Sequence, residues 1–208
     1  GLLGEGDVVV DGGNSRWTDD IANAELLAEK QVGYVDCGVS GGVWGAQRGT
    51  LQVMVGGEES IYREVKAVLQ AVGDKVGYMG PIGAGTIAKL VHNMISIATR
   101  ALVAEGFTLG VKAGVTPEAL LEAIRGASFG QGLMLSQMLP NVIFKGDFDT
   151  VRFALKLARK DIGLATALAR EYDVPMPMAA VAEQIMVEAL ARGWGDKDST
   201  APWLLQEE

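Results

Sequence analysis

Cysteine and histidine are nearly absent from this sequence, which contains one of each, Cys37 and His92. A single cysteine excludes an internal disulfide framework and fits a reducing compartment such as the cytoplasm. One cysteine and one histidine also leave little for a zinc site, so we expect no bound metal. Both absences favour a cytoplasmic protein whose chemistry does not depend on a metal.

Basic clusters and long apolar runs are lacking as well. The formal net charge is −8 and no cluster of lysine and arginine is present to neutralise phosphates, so a nucleic-acid partner is not expected. No apolar run is predicted to be long enough to cross a bilayer, and the first residues lack the segments of a signal peptide, so no membrane partner is expected. They also lack an initiator methionine, so we expect the chain to begin inside a domain.

Two patterns divide the chain near residue 82. Residues 1–82 alternate short β-branched runs with amphipathic stretches, in the order strand, helix, strand, strand, helix, strand. This order predicts an α/β layer with a largely parallel sheet. Residues 83–208 show only the helical period and begin with one long helix over residues 85–113. The sequence therefore predicts two domains, 1–82 and 83–208.

Two threonines mark predicted helix starts. Thr18 precedes two aspartates, which are favoured in a first helical turn, and is a predicted N-cap. Thr116 is followed directly by Pro117, a residue favoured at the first helical position. Further helices are predicted over residues 132–139, 153–172 and 178–192.

Lys89, His92 and Asn93 are the polar side chains on the early turns of the long helix. Their spacing of three and four residues places all three on one helical face. An ammonium, an imidazole and an amide on one face can form an acid–base and hydrogen-bonding cluster. They can equally be satisfied polar residues of a packed helix, with Lys89 reaching solvent. This stretch alone leaves both interpretations open.

Three glycine-rich loops follow predicted strands, at residues 12–15, 38–42 and 83–85. Ligands of open α/β sheets bind outside the carboxyl ends of the strands, where exposed N–H groups can hold a phosphate or a carboxylate. Each loop alone is weak evidence, because tight turns need glycine for steric reasons. Lys160 lies one turn after Lys156 on a later helix, and most such pairs are only a solvated basic face.

Three segments together resemble the β-hydroxyacid dehydrogenases: residues 36–57 (DCGVSGGVWGAQRGTLQVMVGG), 83–93 (GAGTIAKLVHN) and 160–164 (KDIGL). This superfamily includes 3-hydroxyisobutyrate dehydrogenase, tartronate semialdehyde reductase and 6-phosphogluconate dehydrogenase. The resemblance implies a partial Rossmann-type NAD(P)-binding domain followed by an all-α domain built on a long interdomain helix. It also implies NAD or NADP as cofactor, a small 3-hydroxy acid as substrate, and a homodimer or homotetramer.

The resemblance also implies roles for individual residues. Lys89 matches the catalytic lysine, which exchanges the hydroxyl proton, and a lysine does so at neutral pH only where its surroundings favour the neutral amine. His92 and Asn93 match substrate ligands. Ser40, Gly41 and Gly42 match the residues that hold the substrate carboxylate. Asn14 and Lys160 match residues near the cofactor.

Two departures from the family pattern bear on the reaction and the cofactor. 6-Phosphogluconate dehydrogenase has a glutamate where this chain has Ser96, which favours a non-decarboxylating hydroxyacid dehydrogenase and leaves the decarboxylating reaction as the alternative. Imine reductases share the fold but usually lack the lysine. The sequence contains no G-x-G-x-x-G loop, so we expect the first βαβ units to be missing, dinucleotide binding to be poor, and the choice between NAD and NADP to be unreadable.

A second class of function is a non-catalytic helical module for dimerisation. An incomplete Rossmann sheet would leave an open edge that pairs with a partner, and the long apolar helix is compatible with either function. For an enzyme, we expect substrate specificity to come from side chains around residues 129–138, Phe148 and Phe153.

Overall fold

The computed structural model describes residues 2–207, and the chain divides into two compact units between Ile97 and Ala98. The end residues Gly1 and Glu208, which the predicted domains include, lie outside the described residues. The first unit is a mixed α/β layer and the second is helical, which confirms the predicted fold class. The boundary at residue 82 stays a prediction.

The strands are β1 (Val8–Asp11), β2 (Gly33–Ser40), β3 (Gln52–Gly57) and β4 (Lys75–Gly80). The α-helices are α1 (Trp17–Ala28), α2 (Gly42–Arg48), α3 (Glu59–Leu69), α4 (Ala84–Lys112), α5 (Pro117–Gly126), α6 (Leu155–Glu171) and α7 (Pro177–Ala191). A π-helix covers Met134–Ile143, where an α-helix over 132–139 is predicted, and 3₁₀ turns cover Trp194–Asp196 and Ala201–Gln206.

The sheet has the order β1-β2-β3-β4. β1 pairs with β2 and β3 with β4 in parallel, whereas β2 and β3 are antiparallel. The prediction of a largely parallel sheet is therefore wrong at its centre. The physical reason is the connection: only the short helix α2 and a few flanking residues join β2 to β3, which is too little for a crossover that would return the chain in parallel.

β2 separates two kinds of side chain onto its two faces. Val35 and Cys37 are buried in a core cluster with β3 and α3. Asp36, Gly38 and Ser40 alternate with them, so they lie on the opposite face of the strand. One face of β2 is thus an apolar core, while the other carries a carboxylate, a bare backbone and a hydroxyl.

Cys37 should be chemically inert in the folded protein. Its side chain is buried, and burial, together with the nearby charges of Asp36 and Asp11, raises the pKa of the thiol to about 12. Because the thiolate is the nucleophile, we expect no labelling by iodoacetamide in native buffer at mildly alkaline pH and full labelling in urea. Mass spectrometry of the two samples checks this, and rapid native labelling would contradict the packing of β2.

The helix starts confirm one predicted cap and correct the other. The Thr116 side chain accepts a hydrogen bond from the N–H of Ala119 at 3.3 Å, and Pro117 begins α5 as predicted. Helix α1 instead starts at Trp17, so Thr18 lies inside the helix and is not its N-cap. The prediction relied on the two aspartates after Thr18, but the first turn of α1 already begins at Trp17.

Helix α4 has 29 residues, which at about 1.5 Å per residue makes it roughly 43 Å long. By length and composition it could cross a membrane, so the expectation that no segment is long enough is wrong. This is weak evidence for a membrane protein, since core helices of water-soluble proteins meet the same two conditions. The absence of a membrane partner stays a prediction.

The second unit is held by carboxylates as well as by apolar packing. Glu105 on α4 accepts hydrogen bonds from the N–H groups of Met178 and Ala179 in the first turn of α7, at 2.9 and 3.1 Å. Glu183 on α7 accepts from Arg159 at 3.0 Å and from Thr166 at 2.8 Å, both on α6. These contacts fix α7 against its neighbours.

Asp198 is buried and should stabilise the second unit. Burial alone would raise its pKa, but N–H groups of Arg152, Phe153 and Thr200 and the Thr200 hydroxyl donate to it, so that its pKa is lowered overall. Replacing Asp198 by alanine leaves these donors unsatisfied and should cost about 1–3 kcal/mol of unfolding free energy at neutral pH.

The sign of the pH dependence follows from the lowered pKa. The ionised carboxylate contributes its full stability above its unfolded pKa of about 3.9 and loses it as the pH falls through the lower native value. Urea unfolding of wild type and Asp198→Ala at neutral and strongly acid pH measures this difference. Asp149→Ala, which removes an exposed carboxylate paired with Lys197, is the control, and an equal loss in both variants would contradict the assignment.

Candidate functional site

Helix α4 runs along β2 in the direction of the strand. The N–H of Thr86 donates to Oδ2 of Asp36 at 2.7 Å, near the middle of β2. Further along, Lys89 lies against Gly38, because a Cβ added to that glycine would be 2.5 Å from the Lys89 Cβ. At the end of the strand, Ser40 Oγ and His92 Nε2 are 2.8 Å apart. Successive turns of α4 therefore face successive positions on one side of β2.

Three glycines allow this close approach. A Cβ on Gly85 would lie 2.4 Å from the Met54 carbonyl oxygen, and one on Gly56 would lie 2.7 Å from the Gly85 nitrogen. A Cβ on Gly38 would also be 2.9 Å from the Gly85 carbonyl oxygen. Real Cβ atoms essentially never approach other atoms this closely, so the backbone of α4 rests directly on β2 and β3.

The start of α4 binds a carboxylate of the chain itself. Asp36 is fully buried, and its two oxygens accept from the N–H groups of Gly83 and Thr86 at 2.8 and 2.7 Å. These donors are among the N–H groups that a helix start leaves without a partner, where negative charge is favoured. Residues 83–85 were predicted as a loop that could bind an anion. Helix α4 in fact begins at Ala84, and the carboxylate bound at its start is that of Asp36.

Sequence reasoning missed Asp36, although the sequence held a signal for it. An acidic residue between Val35 and Cys37 in a buried strand needs hydrogen-bond donors, because an unpaired buried charge is costly. The strand pattern gave the need for a partner but not its identity, which lies about 50 residues later in the chain.

Ser40, Gly41 and Gly42 form the junction between β2 and α2. Ser40 is half-buried and is the last residue of the strand, rather than part of a loop as predicted. Gly41 and Gly42 have φ values of 140° and 63°, in the region that favours glycine. Both are exposed, and a Cβ on Gly42 would meet no atom within 4 Å. The start of α2 is therefore exposed, with open space around the position of Gly42.

The polar face of α4 ends beside this junction. Lys89 and Asn93 are half-buried, and His92 is exposed and hydrogen-bonded to Ser40. The hydrogen bond to Ser40 fits both a polar cluster and the alternative of satisfied polar residues on a packed helix, so the site roles stay predictions. An amine, an imidazole, an amide and a hydroxyl can together bind a small molecule with several oxygen atoms and move its proton.

The two residues implied near the cofactor lie in different units. Asn14 is exposed in the loop after β1, and because β1 and β2 are parallel, this loop leaves the sheet at the same edge as Ser40. Lys160 lies on α6 in the second unit and forms an ion pair with Asp161 at 2.8 Å. The roles of both in cofactor binding stay predictions.

The second unit contains a cavity of about 490 Å³. Its lining includes Phe129, Met134, Met138 and Phe153, which were expected to influence specificity, together with Arg152. Phe148, expected in the same role, packs instead in a core cluster with Ile143 and Ala201. A specificity role for Phe148 is therefore not supported by its position.

Both parts of the chain match known family models. Residues 83–205 match the NAD-binding domain of NADP-dependent 3-hydroxyisobutyrate dehydrogenase, and residues 1–80 match the NAD-binding domain of 6-phosphogluconate dehydrogenase. Together the two models cover nearly the whole chain, so the fold and these matches define a chain of the nucleotide-binding dehydrogenase class. The chain belongs to the β-hydroxyacid dehydrogenase family.

Relatives with curated names include dehydrogenases and one protein of another class. The chain is 38% identical over 196 residues to 2-(hydroxymethyl)glutarate dehydrogenase of Eubacterium barkeri, covering 94% of this chain and 64% of the relative. It is 31% identical over 203 residues to the cytokine-like nuclear factor N-PAC of Aedes aegypti, covering 98% of this chain and 35% of the relative. The chain thus spans less than two thirds of the length of either relative.

Two solved structures of oxidoreductases are similar in fold to this chain. The Mycobacterium tuberculosis 3-hydroxyisobutyrate dehydrogenase with L-serine has 29% identity and a TM-score of 0.57, with 95% of this chain and 69% of that chain covered. An imine reductase of Myxococcus stipitatus with NADP⁺ has a TM-score of 0.85 at 13% identity, with 95% and 72% covered. At that identity the reductase shows the fold alone.

The loop after β1 is exposed, and its predicted contact with the cofactor would be made by Asn14. A Cβ added to Gly12 would meet no atom within 4 Å, and the neighbouring Asn14 side chain is exposed. An amide both donates and accepts hydrogen bonds, as a nicotinamide carboxamide requires. The start of α4 does not fit a pyrophosphate in the same way, because Asp36 already occupies its N–H groups.

Proposed function

We propose that this chain carries the catalytic lysine and the substrate-binding residues of an NAD(P)-dependent dehydrogenase that oxidises a small 3-hydroxy acid, or reduces the corresponding semialdehyde or keto acid. The observation that carries the proposal is the alignment of α4 on β2, in which Lys89 lies against Gly38 and His92 bonds to Ser40 at the strand end. The family membership supports the reaction class.

In the proposed reaction, Lys89 exchanges the hydroxyl proton of the substrate. Its neutral amine takes the proton as the carbon–oxygen single bond becomes a carbonyl, and in reduction the ammonium returns it. When bound, the nicotinamide cofactor accepts or supplies the hydride at the same carbon. The Lys89 amine therefore needs to lie beside the substrate oxygen. The Cβ of Lys89 packs against Gly38, which places the side chain on β2.

The other residues are proposed to fix the oxygens of the substrate. The N–H groups at Gly41 and Gly42 lie at the exposed start of α2, where they would bind the carboxylate. Asn93 and His92 would orient the hydroxyl-bearing carbon, and Ser40 holds the His92 ring by their hydrogen bond. Asn93 and the two backbone N–H groups are neutral donors, which bind oxygens without competing for the transferred proton.

The test is a substrate panel with the complete gene product that carries these residues. NADH and NADPH formation would be followed with L-serine, 3-hydroxyisobutyrate, 2-(hydroxymethyl)glutarate and 6-phosphogluconate. Turnover of a small 3-hydroxy acid supports the proposal and identifies both substrate and cofactor. Failure with every substrate, from a folded protein, would count against it.

A decarboxylating reaction is the second candidate, favoured by the match of residues 1–80 to the 6-phosphogluconate dehydrogenase model. Ser96 argues against it, because a hydroxyl is a poor proton donor for an enediol in place of a carboxylic acid. Release of CO₂ together with NADPH or NADH from 6-phosphogluconate would favour this candidate over the first.

A non-catalytic role stays the third candidate, since N-PAC, a relative named as a nuclear factor, matches 98% of this chain. A stable dimer that is indifferent to Lys89→Ala in every ligand assay would favour it. The homodimer or homotetramer and the cytoplasmic location expected from the sequence also stay predictions, and sedimentation and cell fractionation would test them.

A further inference from the structure

We propose that Asp36 is a positioning residue for Lys89: its buried carboxylate binds the first turn of α4 and so places the lysine on β2. This inference rests on the proposed function, in which Lys89 exchanges the substrate proton. Asp36 itself lies beneath the helix and is fully buried, so it acts through α4 and not by contact with substrate.

The geometry links the carboxylate to the lysine through one turn of helix. Thr86, which donates to Asp36 at 2.7 Å, is three residues before Lys89 and therefore on nearly the same helical face. On β2, Asp36 is two residues before Gly38, and the Cβ of Lys89 packs against Gly38. The carboxylate thus fixes the position of α4 along β2 one helical turn before Lys89.

The contact also requires an acceptor at each of the two carboxyl oxygens. Oδ1 accepts from Gly83 and Oδ2 from Thr86, so both oxygens must be acceptors at once. An asparagine has nearly the same shape, but its NH₂ group can only donate and would face one of the two N–H groups. Asp36→Asn should therefore loosen the first turn of α4 without leaving a cavity.

Asp20→Asn is the matched control for this substitution. Asp20 is also a buried carboxylate of the first unit, and it accepts from the Tyr34 hydroxyl at Oδ1. Its Oδ2 has no hydrogen-bond partner among the described residues, so an asparagine can keep the contact to Tyr34 with its carbonyl oxygen. The same chemical change is thus made away from α4.

The experiment compares kcat and KM of wild type, Asp36→Asn and Asp20→Asn in the complete gene product. We expect kcat to fall about 10- to 100-fold in Asp36→Asn with little change in KM, since small misplacements of a catalytic group cost this much. Asp20→Asn should keep the wild-type kcat. Equal kcat values in the two variants, assayed well below both melting temperatures, would overturn the proposal.

Two further measurements do not require turnover. Reductive methylation, followed by peptide mass spectrometry, should label Lys89 several-fold faster in Asp36→Asn than in wild type or Asp20→Asn, with the exposed Lys75 as internal reference. Amide exchange should be slow at Gly83 and Thr86 in the wild type, and this remains measurable if Asp36→Asn fails to fold. Fast exchange at both amides, or unchanged Lys89 labelling in a folded variant, would contradict the role of Asp36.

These readouts also separate the two proposals. If no substrate is turned over, or if Lys89→Ala is fully active, the proposed dehydrogenase fails, while Lys89 labelling still decides whether Asp36 positions the lysine. If Lys89→Ala is inactive but Asp36→Asn behaves like Asp20→Asn, the dehydrogenase stands and the positioning role is wrong.

Discussion

Replacing Lys89 by alanine is expected to lower kcat for the preferred hydroxy acid by about 10²–10⁴-fold, the usual contribution of a positioned acid–base group. The lysine is half-buried on β2 at the level of Gly38, one helical turn before the residue that bonds to Ser40. Removing its amine leaves the substrate hydroxyl without a base while the binding residues remain. KM should therefore change much less than kcat in steady-state assays.

Lys89→Arg distinguishes proton transfer from a charge effect. Arginine keeps a positive charge on a long side chain but does not release its proton in proteins, so this variant should be nearly as inactive as the alanine variant. Lys75→Ala, which removes an exposed lysine of β4, is the control and should be fully active. Partial recovery of Lys89→Ala by added methylamine would support proton exchange, whereas an active Lys89→Arg would show that only the charge matters.

Replacing Gly85 by alanine is expected to destabilise the protein clearly. The new Cβ would lie 2.4 Å from the Met54 carbonyl oxygen and 2.7 Å from that of Asp36, and neither backbone oxygen can move without disturbing the sheet. Overpacking of this kind costs about 1–3 kcal/mol or more, so unfolding in urea should occur at clearly lower concentration. Activity should fall in addition, because α4 must lift away from β2.

Gly106→Ala in the same helix is expected to stabilise the protein instead. A Cβ on Gly106 would meet no atom within 4 Å, so alanine adds helix propensity without a clash. The free energy of unfolding should rise by about 0.5–1 kcal/mol. If Gly85→Ala were as well tolerated as Gly106→Ala, the close approach of α4 to the strands would be wrong.

Local patterns predicted much of the fold, because they reflect local physics. Thr116 and Pro117 predicted the start of α5, and the glycine and apolar period predicted α4 almost to its ends. The direction of β3 was predicted wrongly, because it depends on the short connection through α2 and not on the residues of the strand. The π-helical geometry of Met134–Ile143 likewise has no counterpart in the apolar pattern.

For the site, the sequence predicted members but not contacts. Helical spacing placed Lys89, His92 and Asn93 on one face, and the family resemblance added Ser40 to the same site. The hydrogen bond between Ser40 and His92 spans 52 positions of sequence and could not be read from spacing. Asp36 was missed because its partners are backbone N–H groups, which every residue but proline offers and which no side-chain pattern marks.

The buried carboxylate of Asp36 competes with dissolved anions for the N–H groups at the start of α4. The start of α4 holds an anion that is covalently part of the chain, so its occupancy is set by an intramolecular equilibrium with a high effective concentration. Dissolved phosphate or sulfate would have to displace a tethered, desolvated ligand, and salt screens such buried contacts only weakly. The register of α4 on β2 should therefore be insensitive to the ionic composition of the solution.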